Sequence, residues 1–157
     1  MSQRVLSPAF GMMPRVIMLL AIITMTGCAA FTEHRVGVVG NQLTECPQWP
    51  RCVSSQTSQS KKHISPIIIK DDVTDSWRAA RQAVSAMERS TIVEETDRYI
   101  RAEIISPWRV YTDDLELLLY PDEQLIHVRS SGRIGYYDFN VNRDRVESLR
   151  ADIKSAQ

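Results

Sequence analysis

The chain has 157 residues, enough for one domain of ordinary size plus a targeting segment. Nineteen Lys and Arg balance nineteen Asp and Glu, so no net positive charge draws it to nucleic acid. With three cysteines and three histidines, no cluster has metal-ligand spacing, and neither a metal nor a cofactor is expected.

Arg4 and Arg15 are the only charges before Glu33, and Val16 to Met25 is an apolar run of signal-core length, too short for a bilayer span. The run ends in Met25-Thr26-Gly27-Cys28, with Ala29 and Ala30 after it, and resembles a bacterial lipobox. The resemblance implies cleavage before Cys28 and lipid, palmitate among it, on the Cys28 sulfur; the competing reading makes Cys28 a small residue beside an ordinary cleavage site. Ala29 in place of aspartate implies, by lipoprotein sorting, an anchor in the outer membrane facing the periplasm. Residues 1–27 are therefore expected as signal peptide and 28–45 as a lipidated tether, with the membrane as first partner. Loss of 1–27 removes two arginines and no acids, leaving 17 cations against 19 anions.

Next comes Cys46-Pro47-Gln48-Trp49-Pro50-Arg51-Cys52. With Cys28 assigned to lipid, Cys46 and Cys52 remain to pair as one disulfide in an exported protein. The five-residue spacing does not match a two-residue redox motif, and no histidine follows at finger spacing, although redox and metal roles stay as alternatives. Residues 54–62 are rich in Ser, Gln and Lys and read as a flexible surface segment. His63 to Ile69, with Pro66 inside it, reads as an extended piece, so 46–70 is a disulfide hairpin and an extended segment.

The compact domain is expected over 71–157. Asp71-Asp72-Val73-Thr74-Asp75 offers capping oxygens at a helix start, and Val73, Trp77, Ala80, Val84 and Met87 recur at helical spacing and predict an amphipathic helix ending near Arg89. Four strand-like stretches follow: Thr91–Glu95, Tyr99–Ser106, Asp114–Tyr120 and Gln124–Ser130. In the last three, apolar residues alternate with polar ones. Val146, Leu149 and Ile153 then define a helix over Val141–Ser155, with Asn140 or Asn142 as its cap. The expected fold is α+β, a two-layer sandwich in which an antiparallel four-stranded meander is flanked by an N-terminal and a C-terminal helix. Its outer face would carry Arg101, Glu103, Glu116, His127 and Arg129 as a solvated ion-pair lattice.

These residues together resemble a domain-of-unknown-function family, number 1499, of bacterial and chloroplast lineage. The likeness covers residues 46–151. It rests on the Cys46–Ser55 hairpin, His63-Ile64-Ser65-Pro66-Ile67, Ile100-Arg101-Ala102-Glu103, Asp113-Asp114 before Leu115-Glu116, and the Arg129–Arg145 stretch ending Asn142-Arg143-Asp144-Arg145. The chain departs from that pattern at Arg51, where asparagine is usual, at Gly132, where serine is usual, and at Asn140, where glycine is usual. The resemblance implies a fold and an envelope address, and no established chemistry.

The Arg129–Arg145 stretch is the candidate site, and three readings of it compete. Arg129, Ser130, Ser131, Arg133 and Arg143 could converge with the start of the last helix on an anion such as a lipid head group. An enzyme could use Asp138, Asp113 or Asp114 as base with Arg133 holding a substrate charge, yet no nucleophile triad or phosphate-cradling motif accompanies them. Or the arginines pair with Asp113, Asp114, Asp138 and Asp144 as a structural clasp, with Gly132 and Gly135 permitting a tight reversal. The leading expectation is a non-catalytic binding or accessory module of the envelope, with an anionic ligand or an envelope protein as further partner.

Overall fold

The computed structural model describes residues 34–108 and 110–156. The signal segment and Cys28 lie outside the described residues. In chain order the elements are β1 (Val38–Val39), β2 (Gln42–Leu43), β3 (Cys52–Ser54), a short 3-10 turn (Ser60–Lys62), β4 (Ile67–Ile68), α1 (Val73–Ala86), β5 (Ser90–Glu95), β6 (Tyr99–Ile105), β7 (Thr112–Tyr120), β8 (Leu125–Gly132) and α2 (Val141–Ser155).

Among the described residues the fold is α+β, with two α-helices and a sheet of six strands rather than four. The expected meander is present as β5–β6–β7–β8, each pair antiparallel. Two further strands pair with the outer edge of β8: β3 with its end, Cys52 opposite Ser131, and β4 with its beginning, Ile67 opposite Ile126. They close an edge that would otherwise present unpaired N–H and C=O groups to another chain.

One face of the sheet packs on the helices. Ile100, Ala102, Leu115, Leu117, Ile126 and Val128 meet Ala80 and Val84 of α1 and Val146, Leu149 and Ile153 of α2. The α1 start is held by Asp72, whose Oδ1 accepts from Thr74 N at 2.8 Å and Asp75 N at 3.0 Å. Trp77 packs against the same core, as its place on the apolar stripe predicts.

The opposite face is not the solvated lattice expected of it. Residues 34–45, read from sequence as tether, lie across this face and include the β1–β2 hairpin. Gly37 N donates to Glu116 Oε1 at 2.6 Å, and Leu43 is buried with Tyr99 and Leu118. Asp114, Glu116 and Arg129 are buried as a result, at 1%, 0% and 2% exposure. The stretch 54–62 is likewise fixed: Gln56 Oε1 accepts from Leu43 N at 2.8 Å, and Gln59 Nε2 donates to Cys46 O at 2.8 Å. Side-chain amides bonded to backbone give order to a segment that has almost no apolar residue to bury. Cys46 and Cys52 form a disulfide, with Cα atoms 5.8 Å apart.

Candidate functional site

The Arg129–Arg145 stretch begins inside β8, which runs two residues beyond its expected end. Strand alternation therefore separates the residues expected to converge. Arg129 and Ser131 fall on the hairpin-covered face, whereas Ser130 falls on the helix face, where its Oγ donates to Asn142 Oδ1 at 2.6 Å. Arg143 lies on α2 and donates to the carbonyls of Lys61 and His63 at 3.3 and 3.1 Å.

Asp113 and Asp114, adjacent in β7, leave on opposite faces for the same reason. Asp113 Oδ2 accepts from Arg145 Nη2 of α2 at 2.7 Å. Asp114 takes the fork of Arg133, from Nε and Nη2 at 2.8 Å each, a bidentate geometry that suits a carboxylate. His34 Nε2 lies 2.7 Å from the same carboxylate, and Arg133 Nη2 also reaches Glu103 at 2.5 Å. Burial alone would push the Asp114 carboxyl up, but the hydrogen bonds and charges of Arg133 and His34 outweigh it and hold the group below its usual value. Arg133 is in turn held protonated, chiefly by its hydrogen bond to Asp114.

Deeper under the hairpin, Arg129 Nη1 meets Glu116 Oε2 at 2.5 Å, and Tyr99 Oη donates to Glu116 Oε1 at 2.8 Å. Burial, then the Glu116 charge, pushes the Tyr99 phenol well above its ordinary value. Arg129 Nε has no hydrogen-bond partner among the described residues. Arg129 also borders a hollow of about 290 Å3 beside Arg35 and Thr44.

Among the described residues Asp138 pairs with no arginine. Its carboxylate accepts from Asn140 N at 3.2 Å, Asn142 N at 3.0 Å and Asn142 Nδ2 at 2.8 Å. Of the two expected caps, Asn140 is the one at the cap position, but its side chain does not do the capping. Asn140 holds the cap position with a left-handed backbone, φ 68°, and no side-chain cap bond, while Asp138 supplies the oxygens. An anion approaching this helix start meets a carboxylate already there.

Sequence reasoning missed the part played by Arg51. Its side chain is 1% exposed and donates from Nε to Gly132 O at 2.8 Å, from Nη1 to Gly135 O, and from Nη2 to Arg133 O at 3.3 Å. It stitches the disulfide loop to the turn after β8, and no pattern in the sequence announces carbonyl partners. Also missed was Ser55 Oγ, 3.0 Å from His127 Nδ1. That pair is built as a strand fastening: Ser55 Oγ accepts from Val128 N at 2.9 Å, so the hydroxyl is engaged by the strand beside it.

Beside these contacts a hollow of about 500 Å3 opens between the disulfide loop, residues 59–62 and the turn before α2. It is bordered by Gln48, Lys61, Tyr136, Tyr137 and Arg143. Among the described residues, no group of three or more His, Cys, Asp or Glu could hold a metal.

The sequence matches the family described as protein of unknown function, DUF1499, over residues 42–153, most of the chain. The chain belongs to the DUF1499 family. No curated protein matches it. Two departures from the DUF1499 pattern meet in space. A Cβ on Gly132 would stand 3.4 Å from Arg51 Cδ and 3.3 Å from Asp113 Oδ1, so the glycine leaves the volume that the arginine fills. The third departure, Asn140, occupies a left-handed position where glycine is the least strained residue and asparagine the next best.

Proposed function

We propose that the protein is an envelope lipoprotein, held by lipid on Cys28 at the outer membrane and facing the periplasm, whose folded part is a non-catalytic binding or accessory module. The observation that carries the non-catalytic reading is the saturation of the candidate site. Arg133 and Arg145 take Asp114, Glu103 and Asp113, Arg129 takes Glu116, and Asp138 is engaged at the start of α2. A carboxylate fixed under two or three donors is a poor general base. The address is supported by the lipobox and by the Cys46–Cys52 disulfide, which suits an oxidising compartment.

In this reading the arginine stretch is a clasp. Arg133→Ala leaves Asp114 buried with fewer partners and costs about 2 kcal/mol, several degrees in Tm, measured by thermal unfolding. Lipidation is tested by labelled palmitate and by fractionation of Cys28→Ser. An unlabelled protein, or a variant that fractionates like the parent, refutes the anchor.

One observation favours a second reading, an anion or lipid-head-group site: the unpartnered Nε of buried Arg129 at the edge of the smaller hollow. That reading expects Arg129→Lys, which keeps a cation for Glu116 and removes the Nε donor, to lose binding to anionic head groups in a lipid-overlay assay.

A further inference from the structure

Most of the exposed apolar side chains among the described residues gather at one end. Among the described residues twelve large hydrophobic side chains are exposed, and eight of them lie in two segments, three in 108–111 and five in 134–141. Trp108 is 87% exposed, Phe139 80% and Tyr136 61%. Scattered single residues of this kind need no explanation, whereas a contiguous set marks a surface that another apolar phase covers.

The sheet register brings the two segments together. Ile105 pairs with Thr112 and Asp113 with Gly132, so the β6–β7 turn and the β8–α2 turn emerge from the same end of the sheet. Arg133 N donates to Thr112 O at 3.2 Å across them. The disulfide loop joins the group, with Trp49 set edge-on to Tyr136 at 5.5 Å. Phe139 adds an independent sign. It adopts φ 54°, a left-handed backbone that costs a bulky residue about 1 kcal/mol, and it does so while presenting its ring to water. The hydrogen bonds of Asp138 to the next turn hold that conformation in place.

The chain also enters the fold at this end. His34 meets Asp114, which pairs with Ser131, one residue in from the Asp113–Gly132 pair. Six peptide steps separate Cys28 from His34, a reach of at most about 20 Å. We propose that the Trp108–Phe139 end of the domain docks on the head-group layer of the bilayer that carries the anchor, with Trp108, Tyr111, Tyr136, Tyr137 and Phe139 as interfacial residues. This rests on the lipidation of Cys28 proposed above. Tryptophan and tyrosine favour the membrane–water boundary, and apolar side chains inserted there add to a lipid anchor that holds the end nearby. Charge agrees: residues 106–111 and 133–140 contain a single acid, Asp138, and it is occupied as the helix cap. Lys61 and Arg143 at the flanking hollow favour anionic lipid.

The test uses the mature lipidated chain in vesicles of phosphatidylethanolamine and phosphatidylglycerol, part of them brominated on the acyl chains. Tryptophan emission is expected to be quenched by the brominated lipid, and Trp108→Phe to remove most of that quenching. Trp77, packed on the helix-side core, reports none of it, and Trp49, half-buried edge-on to Tyr136, reports only the remainder. A double change, Trp108→Ser with Phe139→Ser, is expected to weaken the vesicle binding of unlipidated chain about tenfold without lowering its melting temperature. Palmitate incorporation with no quenching overturns the docking and leaves the lipoprotein reading standing. No palmitate incorporation overturns the lipoprotein reading, and vesicle binding unaffected by the double change overturns the docking separately. An unquenched protein that sediments as a dimer dissolved by Phe139→Ser assigns this end to a second copy of the chain, which also overturns it.

Discussion

Arg51 and Gly132 share one small volume. The guanidinium spends its donors on the carbonyls of Gly132, Arg133 and Gly135, and its Cδ sits where a side chain at 132 would begin. The other neighbour, Asp113, is pinned by Arg145, so neither can yield freely. Gly132→Ser is therefore expected to cost about 1 kcal/mol through overpacking. In an Arg51→Asn background the same change has room, and the added cost should nearly vanish. A double-mutant cycle by urea denaturation reads the coupling directly, and strictly additive changes would show that the two positions do not compete for space.

At the scale of elements, the disulfide fixes the start of β3, and β3 covers the far end of β8. Opening a loop this short, by Cys46→Ser with Cys52→Ser, is expected to cost about 2 kcal/mol. The loss should be local. The amides of Gly132 and Ser55, bonded to Arg51 O and Val128 O, should exchange faster with deuterium, while that of Leu119, bonded to Arg98 O, should keep its protection. Uniform acceleration across all three would instead mean that the bond stabilises the whole fold and not this edge. What the sequence disclosed divides along the same line. Both α-helices and the meander were legible because Val84, Leu117 or Val146 recur at periods that only one element type satisfies. β3 and β4 were not, since strands of three and two residues are shorter than any readable period. Nor was the docking of residues 34–45, whose bond from Gly37 to Glu116 spans 79 positions and involves no apolar pattern. Within the candidate site, the charges were visible, but their partition between the two faces depended on where β8 ends. A two-residue extension placed Ser130 and Ser131 on opposite sides. The aromatic residues of the β6–β7 and β8–α2 turns carry no period, and only the sheet register, which brings the two turns to one end, makes a surface of them.

Taken whole, the domain has two unlike sides of one sheet: an apolar core against the helices and a buried ionic layer beneath the N-terminal hairpin. The ionic layer ties stability to pH, and the direction follows from which form the fold prefers. Burial lowers the His127 imidazole below its ordinary value, partly countered by Glu123, so the folded protein prefers it neutral. That contribution is present above the unfolded histidine value, about 6.5, and is lost as pH falls through the lowered one. Asp114, depressed by Arg133 and His34 against its burial, contributes above the unfolded aspartate value, about 3.9, and loses that contribution as pH falls further. Tyr99 acts in the opposite sense. Burial and Glu116 raise its phenol, so its contribution is whole below about 10, the unfolded tyrosine value, and declines as pH rises beyond it. Urea midpoints should therefore be flat between about pH 7 and 10, fall gently into mild acid, and fall steeply below about pH 4. His127→Gln should flatten the gentle arm alone, and Asp114→Asn, though less stable throughout, should blunt the steep one. If both variants keep the parent's acid profile, the buried ionic layer is not what senses the proton, and the exposed carboxylates of the surface set the acid limit.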